Sequence, residues 1–574
     1  RQPAPDLTGR GSVLLVEDEA AVRSFGRMTD LNRRQTLKII VAAGAAGLAS
    51  QPDRADAADG VFLHGVASGD PDPRSVVLWT RVTTDAPEAT VAWEIAEDAG
   101  FATVLASGEV TTSAARDFTV KAVAGGLAPG TQYHYRFRLG STLSPAGRTR
   151  TLPEGMLDRL GIAIASCTNY PLGHFNAYSA MAEDAEIDFV FHTGDYIYEY
   201  STEGWGGEIA RKLGRESLPD REIVSLADYR MRHAQYKSDP GSQAMHAAHA
   251  FVACWDDHEV TNNPWTGGAG NHQPEEEGDW IARRDAALQA YFEWMPIREP
   301  EERHRYWRVY RFGDLATMVI LETRHTGRDQ EPGYPDWSEI ETQADRDRAW
   351  QELVVAPNRQ MLSPDMAADA KTALEASVAA GEPWRILGTA SPIQRFNIPD
   401  IVSHGVARED LSDGLKYLAD HGRWNWPWYT DTWDGYLQAR EAFYAMSREA
   451  GATDLLVLTG DTHQFFASEL RDEEGRAMGV ELGTAGISSP SEYVDTGLDP
   501  EVGRRLDAIY TEHMPEVHWT DGLHNGYIRV VLTREEAVAT VVAVSTTQST
   551  AFETMELFRE RIVKADGSLR FEPV

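Results

Sequence analysis

Cysteine and positive charge are scarce in this 574-residue chain. Two cysteines, Cys167 and Cys254, cannot build a disulfide framework. Only 54 Lys and Arg stand against 89 Asp and Glu, a net charge of −35. That balance argues against a nucleic-acid-binding surface and against general attachment to anionic membranes. Internal repeats and low-complexity tracts are missing, and no apolar run is long enough for a permanent membrane-spanning helix. What is present is ordinary for a globular protein: 42% apolar and 25% charged residues. The length allows two or more domains and a large core. The acidic excess reads as a solvated surface, with some carboxylates available to hard cations.

The front of the chain reads as something other than the fold. Asn32-Arg33-Arg34-Gln35-Thr36-Leu37-Lys38 precedes a weakly apolar stretch from Ile39 to Ser50, and then the small-x-small site Ala55-Asp56-Ala57. Charged, apolar and cleavage regions in that order predict a signal peptide over 28–58, and the paired arginines point to the twin-arginine export machinery. Residues 1–27 include Val13-Leu14-Leu15-Val16-Glu17-Asp18-Glu19, similar to the first strand and acidic turn of a receiver domain. They are expected to be a fusion or a mis-assigned leader ahead of Met28. The mature protein is expected in the periplasm or secreted, without a permanent membrane anchor.

Residues 59–152 read as β. Val76-Val77-Leu78-Trp79, Val91-Ala92-Trp93-Glu94-Ile95 and Tyr133 to Leu139 are short runs separated by turn residues. They predict a small antiparallel sandwich of immunoglobulin or fibronectin type. After Pro153 strands alternate with helices, which predicts an α/β domain over 153–574. Strands are expected at Leu160–Ala165, Ile187–His192, Ala250–Trp255, Leu315–Leu321, Arg385–Leu387, Leu455–Leu458, Tyr527–Leu532 and Val538–Val544, and a helix at Phe175–Ala182. Two polar stretches, Ser201–Asp220 and Gly327–Asp347, read as surface excursions or lids.

Four of these strands end in metal-type residues. The first ends at Cys167 and the second at His192-Thr193-Gly194-Asp195, with Tyr198 three residues on. The third ends at Trp255-Asp256-Asp257-His258-Glu259 and the fourth at Gly460-Asp461-Thr462-His463. Loops at such strand ends converge on one edge of an α/β sheet. Thiolate and phenolate suit a redox-type transition metal, whereas carboxylates suit calcium or another hard ion. Cys254 reads as a small buried residue.

These motifs resemble the PhoD-type alkaline phosphatase and phosphodiesterase family. Phe62-Leu63-His64-Gly65-Val66-Ala67-Ser68-Gly69-Asp70-Pro71 and Val76 to Arg81 are similar to its amino-terminal domain. Ala165-Ser166-Cys167, Gly194 to Tyr200, Asp228-Tyr229-Arg230, Trp255 to Val260 and Trp433-Asp434-Gly435-Tyr436 are similar to its catalytic domain. The resemblance implies a metallophosphatase β-sandwich flanked by helices, α/β/β/α in layer order. It also implies ferric iron (Fe3+) beside calcium (Ca2+). Carried over, Cys167 and Tyr198 would bind iron, Asp195 would bridge, and Asp257, Asp461 and His463 would complete the shell, with Asp434 a further candidate ligand. The Asp195–Tyr198 spacing is also similar to that of purple acid phosphatases. Three features depart from the family pattern: Glu322 before Thr323-Arg324, Met514-Pro515-Glu516, and the segment Asn358–Lys371.

The implied reaction is hydrolysis of small phosphate esters by a metal-activated water, with release of inorganic phosphate. Arg230 and Arg232 are expected to hold phosphate oxygens with planar donors, with Tyr229 a further catalytic candidate beside Arg230, and His258 is expected to assist the leaving oxygen. The alternatives are a phosphodiesterase, of phospholipase D kind, and an exported binding protein without catalysis.

Overall fold

Apolar runs with no polar break suit strands buried on both faces. Leu160–Ala165 and Leu455–Thr459 are such runs, and every side chain in both is buried. The computed structural model describes residues 60–356 and 358–574. The leader and signal segments expected over 1–27 and 28–58 lie outside the described residues. Among the described residues no helix is long and apolar enough to cross a membrane.

Two mixed sheets stack face to face. The larger has ten strands, with Leu160–Ala165, Phe189–His192 and Ala250–Ala253 in parallel near its centre. The smaller has seven, with Ala316–Ile320, Trp384–Gly388, Leu455–Thr459 and Ala477–Gly483 in parallel. Ile162, Ile164, Phe191 and Val252 of the first sheet meet Met318, Ile386, Leu456 and Val480 of the second in one core. Helices cover both outer faces. Phe175, Tyr178, Met245 and Leu288 pack on Ala163, Val190 and Phe251 of the larger sheet. Leu374 and Phe443 pack on Val319, Leu387 and Val457 of the smaller. The layer order is therefore α/β/β/α, as the resemblance implies. Local signals start the helices where they begin: Ser225 and Asp228 form a capping box ahead of Leu226–Lys237, and Asp239 caps Pro240–Ala248 with proline in its first turn.

The expected strands are present with shifted ends. The segment Ile187–His192 contributes Phe189–His192, and Ala250–Trp255 contributes Ala250–Ala253. In the second case Cys254 and Trp255 are buried but already belong to the site loop.

The amino-terminal region is an all-β sandwich, as expected, and one of its two layers is continuous with the larger sheet. Glu88–Ala96, Val104–Ser113 and Gln132–Leu139 lie in a five-stranded sheet of their own. Val66–Asp72, Ser75–Arg81 and Thr119–Gly125 instead extend the ten-stranded sheet, with Ser68 pairing in parallel to Ala250. Val66, Leu78, Val91, Ile95 and Tyr135 fill the space between the two layers. A buried carboxylate locks this junction. Asp70 accepts hydrogen bonds from the Tyr310 hydroxyl at 2.8 Å and the Arg298 backbone N–H at 2.8 Å. It also pairs with Arg308 at 2.8 Å, and its side chain is 0% exposed. Removing one partner of such a group leaves buried charge without compensation. Asp70→Ala should therefore destabilise the fold by about 3–5 kcal/mol, read as a lower midpoint of urea denaturation, with Asp70→Asn losing less.

Candidate metal centre

Parallel register brings the chemistry to one edge. His192 is level with Ala165 on one side and Ala253 on the other. The three strands therefore release Cys167, Asp195 and Asp256-Asp257-His258 side by side. In the smaller sheet Leu458 is level with Gly388, and the chain continues into Asp461 and His463. The two sets of loops touch. A Cβ on Gly460 would lie 2.2 Å from Ser166 Oγ and 2.3 Å from Thr193 Oγ1. At Gly194 it would lie 2.4 Å from the Asp256 backbone nitrogen. Nothing larger than glycine fits at either place.

Four donor residues here have left-handed backbone: Cys167 (φ 55°), Asp195 (57°), Asp461 (71°) and His463 (57°). Such conformations cost of order 1–3 kcal/mol each and persist only where the surroundings enforce them. Glu259 provides part of that enforcement. Its buried carboxylate accepts the backbone N–H groups of Asp195, Tyr196 and Asp256 at 3.0, 2.6 and 2.8 Å.

Three groups of side chains place donor atoms within 4.8 Å of one another: Cys167, Asp195 and His463; Asp195, Asp257 and His258; and Asp256, Asp257 and Asp461. Asp195 joins the first group to the second, and Asp257 the second to the third. Tyr198 belongs with the first group, because its hydroxyl lies 3.0 Å from Asp195 Oδ2 and 3.1 Å from His463 Nε2. His463 Nδ1 is 3.1 Å from the Pro490 carbonyl, which fixes the ring by its other nitrogen. Cys167 Sγ is 3.5 Å from Asp195 Oδ2. His258 Nδ1 lies 2.6 Å from Glu199, and its ring is 4.3 Å from that of Tyr198. Glu199 is itself held by Thr261 and by the Asn262 backbone N–H.

These groups burden one another electrostatically. Burial, with the neighbouring Asp257 and Asp256, pushes the Asp195 carboxyl well above the usual carboxylate range, although His258 opposes the shift. Burial and then Asp256 and Asp431 do the same to Asp461. Burial, opposed by Arg324, pushes Asp256 up to about 6. Burial raises the Cys167 thiol and the Tyr198 phenol too, with Asp195 adding to both. His463 is pushed down to about 4 by burial and then by His258. Burial alone would lower His258, but Asp257, Glu199 and Asp195 raise it well above the imidazole range. Asp256 Oδ2 and Asp257 Oδ1 are buried with no hydrogen-bond partner. Crowded carboxylates with unspent oxygens are what a cation would neutralise, so the donor set fits metal ions.

Four residues singled out in the sequence are placed elsewhere or already engaged. Arg230 is bound to Glu293 at 2.6 and 2.7 Å and to the Ala115 carbonyl, tying two helices to the amino-terminal region. Arg232 is buried and donates to the backbone carbonyls of Tyr198, Leu218 and Pro219. The Tyr229 hydroxyl donates to the Val260 carbonyl at 2.6 Å. Asp434 pairs with Arg395 at 2.9 Å and accepts the Phe396 backbone N–H at 2.6 Å. The fold does not bring Arg230, Arg232 or Asp434 among the donor groups: their polar atoms are engaged in structural contacts.

The guanidinium that does face the site is Arg324. It is fully buried, bonds Asp256 through Nε, and lies 3.7, 3.6 and 3.5 Å from Asp257, Asp461 and Asp431. Its Nη1 and Nη2 have no hydrogen-bond partner. Its signal in the sequence is its place just after the apolar run ending at Leu321. Asp256, Glu199 and Glu259 were also passed over, although each adjoins a chosen residue. Glu322 accepts the backbone N–H groups of Arg324, His325 and Thr326 and so shapes the turn that presents Arg324.

Gly460→Ala forces the two loop sets apart at the centre of this arrangement. It should lower the activity that the resemblance implies by about 100-fold and reduce bound metal, with the far-UV circular dichroism spectrum unchanged. Full metal content with full activity would contradict the packing described.

Comparison with known proteins bears on this geometry. The family model for PhoD-like phosphatase matches residues 162–541, and that for its N-terminal domain matches residues 47–153. The chain is 32% identical over 500 residues to alkaline phosphatase D of Bacillus subtilis (strain 168), covering 82% of this chain and 76% of that protein. It is also similar to the solved structure of PhoD, with a TM-score of 0.71 and 28% identity, covering 91% of this chain and 94% of the other. With two sheets converging on one acidic, thiol- and imidazole-bearing edge, and with both parts of the sequence matched, the chain belongs to the PhoD-like phosphatase family and is a phosphoric ester hydrolase.

Proposed function

We propose that the protein is an exported alkaline phosphatase that releases inorganic phosphate from small phosphate esters at a mixed iron and calcium site. The observation that carries this reading is the chain of three donor groups linked through Asp195 and Asp257. Cys167, Tyr198 and His463 offer sulfur, phenol and imidazole donors, a set that suits ferric iron. Asp256, Asp257 and Asp461 offer hard oxygen donors that suit calcium. Asp195 belongs to both regions. Cations in such a site supply Lewis acidity at a phosphoryl oxygen and a lowered pKa for water.

The remaining steps fall to the chain. Arg324 is the guanidinium to meet phosphoryl oxygens, because Nη1 and Nη2 make no hydrogen bond and are held only by ion pairs at 3.5–3.7 Å. Against the effect of burial, Asp257, Glu199 and Asp195 favour the protonated form of His258. Glu199 holds its Nδ1, which leaves Nε2 to give a proton to the departing oxygen. Export by the twin-arginine route rests on the Arg33-Arg34 pattern and the apolar stretch after it.

Two measurements test the reading. Asp195→Ala should abolish both phosphate release and metal content measured by mass spectrometry; retention of activity would sink the assignment. The intact enzyme should turn over p-nitrophenyl phosphate faster than bis-p-nitrophenyl phosphate. The reverse order would make it a phosphodiesterase.

A further inference from the structure

The polar excursion after Tyr200 carries its one tryptophan, Trp205, at an unusual place. Its ring lies 5.7 Å from that of His463 and is parallel to it within 9°. Its edge meets Tyr198 at 5.4 Å and Tyr200 at 6.2 Å. Tyr200 in turn lies 5.4 Å from His258. Two aromatic rings thus stand over the two imidazoles that flank Asp195. Trp205 is only half-buried and, among the described residues, belongs to none of the hydrophobic clusters that build the core. Packing of the fold does not account for it.

Its position is nevertheless fixed. The indole N–H donates to Asp495 at 3.1 Å, across 290 residues of sequence. Asp495 closes the short helix Glu492–Asp495, which is capped by Ser491, the neighbour of Pro490, whose carbonyl holds His463. One segment therefore anchors both the imidazole and the indole stacked on it. An aromatic platform held at the mouth of a site is suited to a flat apolar partner, because stacked rings gain attraction beyond the area they bury.

We propose that Trp205 is a specificity-determining residue, whose indole stacks on the organic group of the ester while phosphorus sits at the metal centre, favouring aryl phosphates over small polar alkyl phosphates. This rests on the phosphatase reading above and extends it to the class of ester preferred. Asp495 acts through Trp205 as a positioning residue that keeps the indole in place.

The test compares kcat/KM for phenyl phosphate and for glycerol phosphate in the metal-loaded, full-length protein. Taking the ratio between the two esters in each variant, relative to the same ratio in wild type, removes their difference in intrinsic reactivity. Trp205→Ala should lower this ratio about tenfold, with metal content unchanged. Trp205→Phe should keep most of the preference. Asp495→Ala, which leaves the indole present but untethered, should produce a smaller loss in the same direction. An equal fall for both esters, an unchanged ratio, or loss of metal in Trp205→Ala would overturn the proposal and make Trp205 a support for His463. Wild-type protein that releases phosphate from neither ester would overturn the phosphatase reading instead.

Discussion

Asp195, Asp256, Asp257 and Asp461 are all buried or nearly so at the meeting edge of the two sheets. Two unit charges 4 Å apart repel by about 4 kcal/mol even at an effective dielectric of 20. A handful of such carboxylates cannot stay ionised together unless positive charge lies among them. Within the chain that charge comes from Arg324 and from His258, both shifted toward their charged forms by the acids around them. Two cations against this density of acid leave the balance incomplete, and the unspent oxygens of Asp256 and Asp257 mark where it fails. The loop geometry follows from the same requirement. The chain turns through left-handed backbone at Asp195 and Asp461, and Glu199 and Glu259, also acids, are consumed in holding imidazole and backbone in place.

How much of this could be read from the sequence depended on whether a residue's role was local. Cys167, Asp195, Asp257, Asp461 and His463 each follow an apolar run, so their place at a strand end was legible from the residues before them. Tyr198 was legible by its spacing from Asp195. The partners of Arg230 and Arg232 were not legible, because a helical arginine near a family motif says nothing about which way the helix turns. In the fold Arg230 faces a buried Glu293 some sixty residues later. Arg324 was passed over for the opposite reason. Its only local mark is a strand before it, and its four acidic neighbours come from three separate segments.

The amino-terminal region teaches the same lesson on a larger scale. Alternating runs correctly marked its strands, yet pairing between Ser68 and Ala250 cannot be inferred from either segment alone. Strand type is a property of the local pattern; sheet membership is a property of distant partners. Pairing of Ser68 with Ala250 makes this junction a continuous part of the larger sheet, and the contacts of Asp70 with Arg308 and Tyr310 tie it to the edge strand of the smaller one.

That larger sheet also has an order of assembly written into it. The Leu160–Ala165 strand, which leads to Cys167, is flanked on its far side by Asn525–Leu532, with Ile164 opposite Ile528. A strand made early in synthesis therefore keeps an open edge until nearly the whole chain has emerged. Contacts of such long sequence separation slow folding, and an unpaired strand edge invites association with other chains while it waits. The region that builds the metal centre is consequently among the last parts of the molecule able to close, and a chain cut short before Tyr527 would present that edge permanently.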